Sequence, residues 1–190
     1  MSINPQYHQS IKSMEEELIW IRKAQNDPTF FAPIYTKYHD QIFRYVFQRM
    51  DDEELAFDVT SQVFVKALFN LNKYEFRGVP FASWLYRIAK SELYQSFRDR
   101  KAERTTHTES LQIHDMIAEL EEDDTEEKRQ KLFVALSRLK EKDLQLIELR
   151  FFEKRSFKEI GEVMRITENN AKVKAFRALE KLKVYMNSNK

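Results

Sequence analysis

"RSFKEIGEVMRITENNAKVKAFRALEKL", residues 155–182, reads as a short helix, a break and a second helix. Ser156 and Glu159 stand at the first and fourth positions of a capping box, where each side chain satisfies the other's free backbone N–H. Phe157, Ile160, Val163 and Met164 then supply one buried face. Residues 164–167, "MRIT", turn the chain, with Ile166 plugging the angle and Thr167 placed to cap the second helix. In that helix Ala171, Ala175 (or Phe176) and Leu179 face inward, leaving Glu168, Asn169, Lys172, Lys174 and Arg177 outside. Such a pair is either a helix-turn-helix, whose second helix enters the major groove, or a bundle hairpin whose lysines keep it in solution. The hairpin accounts for the charges but not for the short turn or the small Ala171 at the crossing.

Charge along the chain favours the first reading. The 32 basic and 31 acidic side chains nearly cancel, yet they are unevenly placed. Residues 77–104 carry 7 basic and 3 acidic groups, and residues 128–190 carry 17 and 8. Between them, residues 109–127 hold nine acidic groups and no basic one. Salt screens charges over roughly 10 Å, so these blocks act locally, as two contacts with a polyanion and one segment that avoids it. The chain has no cysteine, which excludes disulfides and thiolate metal sites. His8, His39, His107 and His114 lack ligand spacing, so no metal and no cofactor is expected. Neither a signal pattern nor a membrane-length apolar run occurs, which predicts a cytoplasmic protein without membrane insertion.

With Gly 2 and Pro 4 in 190 residues, tight turns are scarce and an all-α fold is expected. Capping boxes are read at Ser13 with Glu16 and at Asp51 with Glu54. Phe31, Ile34, Tyr38, Ile42, Tyr45, Val46 and Arg49 recur by threes and fours, and Trp84, Ile88 and Phe97 anchor a further helix. The expected plan is a helical domain over 12–100, a flexible acidic linker over 101–127 and a small four-helix domain over 128–186. In the last, Leu132, Leu136 and Leu139 form one face, and Leu144, Ile147 and Phe151 another. "NKYEFRGVPFASWLYRIAKSELYQSFRDRKAER" interleaves rings with cations, a composition suited to single-stranded or melted DNA. Trp84 reads as core, whereas Phe76, before Arg77 and Gly78 in a loop, reads as available.

From about residue 20 to 185 the chain resembles the group 4, or extracytoplasmic function, sigma factors of the sigma-70 family. "FFAPIYTKYHDQIFRYVFQRM", "AFDVTSQVFVKAL", "FRGVPFASWLYRIAKSELYQSFR" and the opening stretch resemble regions 2.1, 2.2, 2.3–2.4 and 4.2, in order. The resemblance implies a factor that binds core RNA polymerase through its β′ coiled coil and β subunit, recognises promoter DNA and melts it. It places Asp58, Gln62 and Phe64 at the polymerase contact. It gives Phe76, Arg77, Gly78, Lys90, Ser91 and Arg98 to the −10 element, with the 76–80 loop capturing a flipped base. Glu168, Asn169, Asn170, Lys172, Lys174 and Arg177 fall to the −35 element. An anti-sigma factor is an implied partner, and enzymatic chemistry is not.

Three positions depart from the family pattern. Ser91 stands where Asn is frequent and Gln95 where Asp is, which bears on −10 preference. Arg165 stands where the turn often has Gly, so either the turn avoids positive φ or it stores strain. The linker either threads the polymerase channel as a mimic of nucleic acid or serves as a spacer. The rival readings are a stand-alone helix-turn-helix transcriptional regulator, which leaves residues 76–104 and the Asp58/Gln62 surface without a role, and a helical adaptor that binds no nucleic acid.

Overall fold

The computed structural model describes residues 11–50, 52–101 and 126–188, and every regular element in them is helical. The chain divides between Thr106 and His107 into two compact units. The first contains α1 (Ile11–Asn26), α2 (Ala32–Phe47), α3 (Glu53–Phe69) and α4 (Ala82–Lys101). The second contains α5 (Glu126–Ser137), α6 (Glu141–Ile147), α7 (Phe157–Met164) and α8 (Glu168–Asn187). Most of the acidic linker, 102–125, lies outside the described residues.

Helix α1 begins at Ile11, so Ser13 lies inside it and the expected Ser13–Glu16 box does not start the helix. A cap needs extended backbone, and the helix-compatible run continues upstream of Ser13. The stop is as read. Pro28 has no N–H to continue the ladder, and Asp27 caps the following 3-10 turn, accepting from the Thr29 N–H at 3.0 Å and hydroxyl at 2.8 Å. Those two bonds favour the ionised form and hold the Asp27 carboxyl below its ordinary range. The cap's contribution is therefore present above the ordinary Asp pKa and lost as pH falls through the lowered one.

All seven periodic positions from Phe31 to Arg49 are buried, so the reading of α2 holds. The N-cap of α3 is Asp52 rather than Asp51: its backbone is extended and its carboxylate accepts from Leu55 N–H at 3.1 Å. Asp51 itself lies outside the described residues. On α4 the expected anchors Trp84, Ile88 and Phe97 are half-buried, while Leu85, Tyr86, Ala89 and Leu93 are buried, as is Phe81 just ahead of the helix. The helix packs against both α2 and α3, so its buried arc is wider than one stripe and centred away from the largest rings. Trp84 rests on Tyr74 and Phe81, with centroids at 5.3 and 5.2 Å.

The second core joins Ala135, Leu136, Leu139, Leu144 and Ile147 to Ala178 and Leu182, with Leu132 at its edge. Phe151 was expected in that face and is exposed, and Phe152 packs there instead. Glu148–Phe152 form a π turn, closed by Glu153 N–H to Glu148 O at 3.0 Å. The i→i+5 bond accommodates one extra residue in this turn and moves the apolar position from 151 to 152.

Gly161 in α7 touches the turn that follows it. An added Cβ would lie 2.7 Å from Ile166 O, a backbone atom of the helix-turn-helix bend. Gly161→Ala is expected to destabilise the second unit by about 1–3 kcal/mol, because turn and helix must separate. Urea unfolding followed by far-UV circular dichroism checks this, and an unchanged midpoint would show that the turn yields freely.

Candidate nucleic-acid interface

The capping box at Ser156 is present in both directions: Glu159 N–H donates to Ser156 Oγ at 3.2 Å and Ser156 N–H to Glu159 Oε2 at 2.9 Å. Helix α7 ends at Arg165, whose φ of 56° and ψ of 48° are left-handed. The turn therefore stores strain rather than avoiding positive φ. Ile166 N–H donates to Gly161 O at 2.9 Å, and Thr167 caps α8 by accepting from Asn170 N–H at 3.2 Å. Ala171, Ala175 and Ala178 are buried, so Ala175 rather than Phe176 faces inward and Phe176 is 64% exposed. Small residues at this crossing let α8 sit close to α7 while its other side stays in water.

That outer side carries every residue expected there. Glu168, Asn169, Asn170, Lys172, Lys174 and Arg177 are all exposed, and Lys172 Nζ lies 2.9 Å from Glu168. The ion pair joins exposed groups, so it orients Lys172 without adding much stability. Val173 stands exposed among them, together with Phe176. These two apolar positions were missed because their residue types read as core.

Behind the turn lies a buried charge cluster that sequence reading also missed. Arg155 sits between Glu159 at 3.5 Å and Glu153 at 3.8 Å, and all three side chains are almost fully enclosed. Arg150 donates to Arg155 O at 2.9 Å while its guanidinium covers the Phe157 ring at 4.8 Å. Glu159 thus serves the cap through one oxygen and Arg155 through the other. Only tertiary packing makes "EKRSFKE" a core element, since its composition is that of a surface.

In the first unit, Phe76, Arg77 and Gly78 occupy one non-helical loop between α3 and α4. Phe76 is 43% exposed and Arg77 is exposed. Gly78 has φ 68°, a conformation that suits glycine, and the chain beyond it plunges inward at Val79, Pro80 and Phe81. On α4, Ser91 and Arg98 are exposed two turns apart, with Gln95 between them hydrogen-bonded to the Arg98 guanidinium. Lys90 is half-buried, its Nζ 5.7 Å from the Tyr94 ring. A ring, two arginines and a hydroxyl are thus displayed by one loop and the helix it begins.

Helix α3 displays Asp58 and Gln62, both exposed as expected. Phe64 is turned the other way: 4% exposed, it meets the Tyr35 ring edge-on at 4.8 Å. Phe64 is therefore not on the exposed face that carries Asp58 and Gln62. Six residues beyond Asp58 rotate Phe64 well off that face, onto the side that packs on α2. The apolar partners of Asp58 and Gln62 on their own stripe are Val65 and Phe69, and Phe69 is 82% exposed. Val59 and Val63, next to them in sequence, are buried in the unit's own core.

Residues 34–103 match sigma-70 region 2, and residues 135–184 match sigma-70 region 4. The chain belongs to the sigma-70 family. It is 27% identical over 165 residues to the ECF RNA polymerase sigma factor BldN of Streptomyces coelicolor, covering 85% of this chain and 62% of that one. It is 25% identical over 160 residues to the ECF RNA polymerase sigma factor SigM of Bacillus subtilis, covering 81% and 93%. The chain thus spans less than two thirds of BldN and nearly all of SigM. Among solved structures, CnrH in complex with the cytosolic domain of CnrY is similar in fold, with a TM-score of 0.61 and 18% identity. That likeness covers 90% of this chain and 97% of CnrH. The sigma factor RpoE in complex with the anti-sigma factor NepR from Bartonella quintana gives 0.56 at 16% identity, covering 84% and 98%.

Within the sigma-70 frame, the loop and α4 fall in region 2, and α7, its turn and most of α8 in region 4. No helix among the described residues is long and apolar enough to cross a membrane. Nor do the described residues contain a group of three His, Cys, Asp or Glu side chains that could hold a metal ion.

Proposed function

We propose that this sigma-70 family protein acts as a group 4 sigma factor that binds core RNA polymerase, selects promoters and opens them. The observation that carries the reading is the α3 stripe of Asp58, Gln62, Val65 and Phe69. An exposed phenylalanine rimmed by polar side chains suits a protein partner. A stand-alone helix-turn-helix regulator has no use for it. The first unit then carries polymerase binding and −10 capture, with Phe76, Arg77 and Gly78 taking an extruded base and Lys90, Ser91 and Arg98 following the strand. The second carries −35 reading through Glu168, Asn169, Asn170, Lys172, Lys174 and Arg177. Val173 and Phe176 add apolar contacts of the kind made to thymine methyl groups.

The polymerase surface is the β′ coiled coil, with a further contact to the β subunit. Partner proteins of the kind bound to CnrH and RpoE in their complexes suit this chain too, and an anti-sigma factor would hold it off the polymerase. These roles belong in the cytoplasm, where promoter DNA and polymerase are.

The charge-reversed double substitution Asp58→Lys with Gln62→Lys is expected to weaken binding to core polymerase at least tenfold, through like-charge or mismatched contacts across the interface. Both side chains are exposed, so the helicity and urea midpoint of the free protein should stay unchanged. Core affinity within twofold of the parent, measured by fluorescence anisotropy, would remove α3 from the interface.

A further inference from the structure

Helix α1 lies before the region 2 match, which begins at residue 34. Two of its side chains nevertheless reach the two stems of the recognition loop. Gln25 Nε2 donates to Leu71 O at 2.9 Å and to Tyr74 O at 3.3 Å, on the upstream stem. Two turns earlier on the same helix, Glu17 Oε2 accepts the Phe81 N–H at 3.1 Å, on the downstream stem. Eight residues of helix separate these two anchors by about 12 Å along the axis.

Glu17 is itself fixed. Its Oε1 receives Lys37 Nζ at 3.0 Å and the Tyr38 hydroxyl, and the carboxylate is almost wholly enclosed. A buried carboxylate is costly unless its oxygens are filled. Here the bonds that fill them join α1 to α2 and to the residue that opens α4. Gln25 directs both of its observed donor bonds to backbone carbonyls of the opposite stem. Glu17 is buried, Gln25 is half-buried, and both are bonded to backbone of the loop's stems, so their effect on the loop is indirect.

We infer that α1 is a two-point clamp that sets the geometry of the 75–80 loop, with Glu17 and Gln25 as positioning residues for base capture. The inference rests on the reading of that loop given under the proposed function. Between the clamped stems lie only six residues, of which Gly78 is committed to positive φ and Val79 and Pro80 are buried. Fixing both ends leaves Phe76 and Arg77 few conformers to lose when a base arrives, which lowers the ordering cost of capture. Without the clamp the same side chains would be present but less selective.

The test uses holoenzyme assembled with the full chain and compares open-complex formation on a promoter carrying the preferred −10 base with one substituted at that base. Gln25→Ala is expected to reduce this discrimination roughly fivefold, the effect of about one net hydrogen bond. Gln25→Glu should reduce it further, because an acceptor then faces two carbonyls, whereas Gln25→Lys retains a donor and should stay near the parent. Glu17→Gln should also lose discrimination, and the Gln25 series decides the matter if that variant fails to fold. Core affinity should be the same throughout. Full discrimination in Gln25→Ala and Gln25→Glu, alongside its loss in a Phe76→Ala/Arg77→Ala control, would overturn the clamp and leave the loop reading standing. Retained discrimination in the control would overturn the loop reading and the clamp with it. A fall in core affinity proportional to the fall in open complexes would reduce α1 to a structural support, and that also overturns the inference.

Discussion

Replacing Arg155 by methionine is expected to destabilise the second unit by about 3–5 kcal/mol, enough to unfold much of a domain this small. Methionine fills the space but leaves Glu153 and Glu159 enclosed without the cation 3.8 and 3.5 Å away. Glu159 would lose its partner while still capping Ser156, so the start of α7 would be weakened together with the packing beneath it. Both tryptophans, Trp20 and Trp84, belong to the first unit, which gives the experiment an internal control. Tryptophan fluorescence should report a nearly unchanged urea transition, while hydrogen exchange of α7 and α8 amides should accelerate by several orders of magnitude. Combining Arg155→Met with Glu153→Gln should recover part of the loss, since one of the stranded charges is gone. Unaltered exchange in α7 would mean that the apolar contacts of Ile160 and Val163 suffice to hold the turn.

The second large effect concerns melting. Phe76→Ala with Arg77→Ala should leave core binding and closed complexes intact, because both side chains are exposed and lie on the loop rather than on α3. Open-complex formation on duplex DNA is expected to fall by roughly a hundredfold, the equivalent of the few kcal/mol needed to unstack a base and no longer recovered in its pocket. A bubble template removes most of that cost beforehand and should restore much of the activity. Permanganate footprinting on both templates distinguishes the outcomes: an equal deficit on duplex and bubble would make residues 76–80 scaffold instead of a base receptor.

The fold class and the helix-turn-helix were legible because they rest on local physics. Apolar spacing of three and four residues requires a helical face, and the capping box at Ser156 marks a start that a few residues are sufficient to encode. The exposed face of α8 was legible for the same reason: with Ala171 and Ala175 inside, the geometry of the helix places Asn169 and Arg177 outside. The similarity of four ordered stretches to one family extended that reading to function.

What local spacing left undecided was settled by which neighbours each helix meets. Phe64 and Phe69 are the same residue type on one helix, yet Phe64 packs against Tyr35 and Phe69 stands in water, because α2 covers only one side of α3. Phe151 yielded its place to Phe152 through a π turn, which depends on how α6 meets the rest of its unit and not on any single residue's propensity. Gly161 looked ordinary until the turn after α7 closed over the space a side chain would need, and Arg155 looked like a surface cation until two carboxylates closed around it. The Glu17 and Gln25 anchors span 64 and 46 to 49 residues of sequence, distances over which no periodicity carries information. Sequence alone determined that the chain is helical and, for α2 and α8, which face is buried. Tertiary structure decided which exposed ring is free, which charge is enclosed and how the loop is held, since each of those depends on groups brought together only by folding.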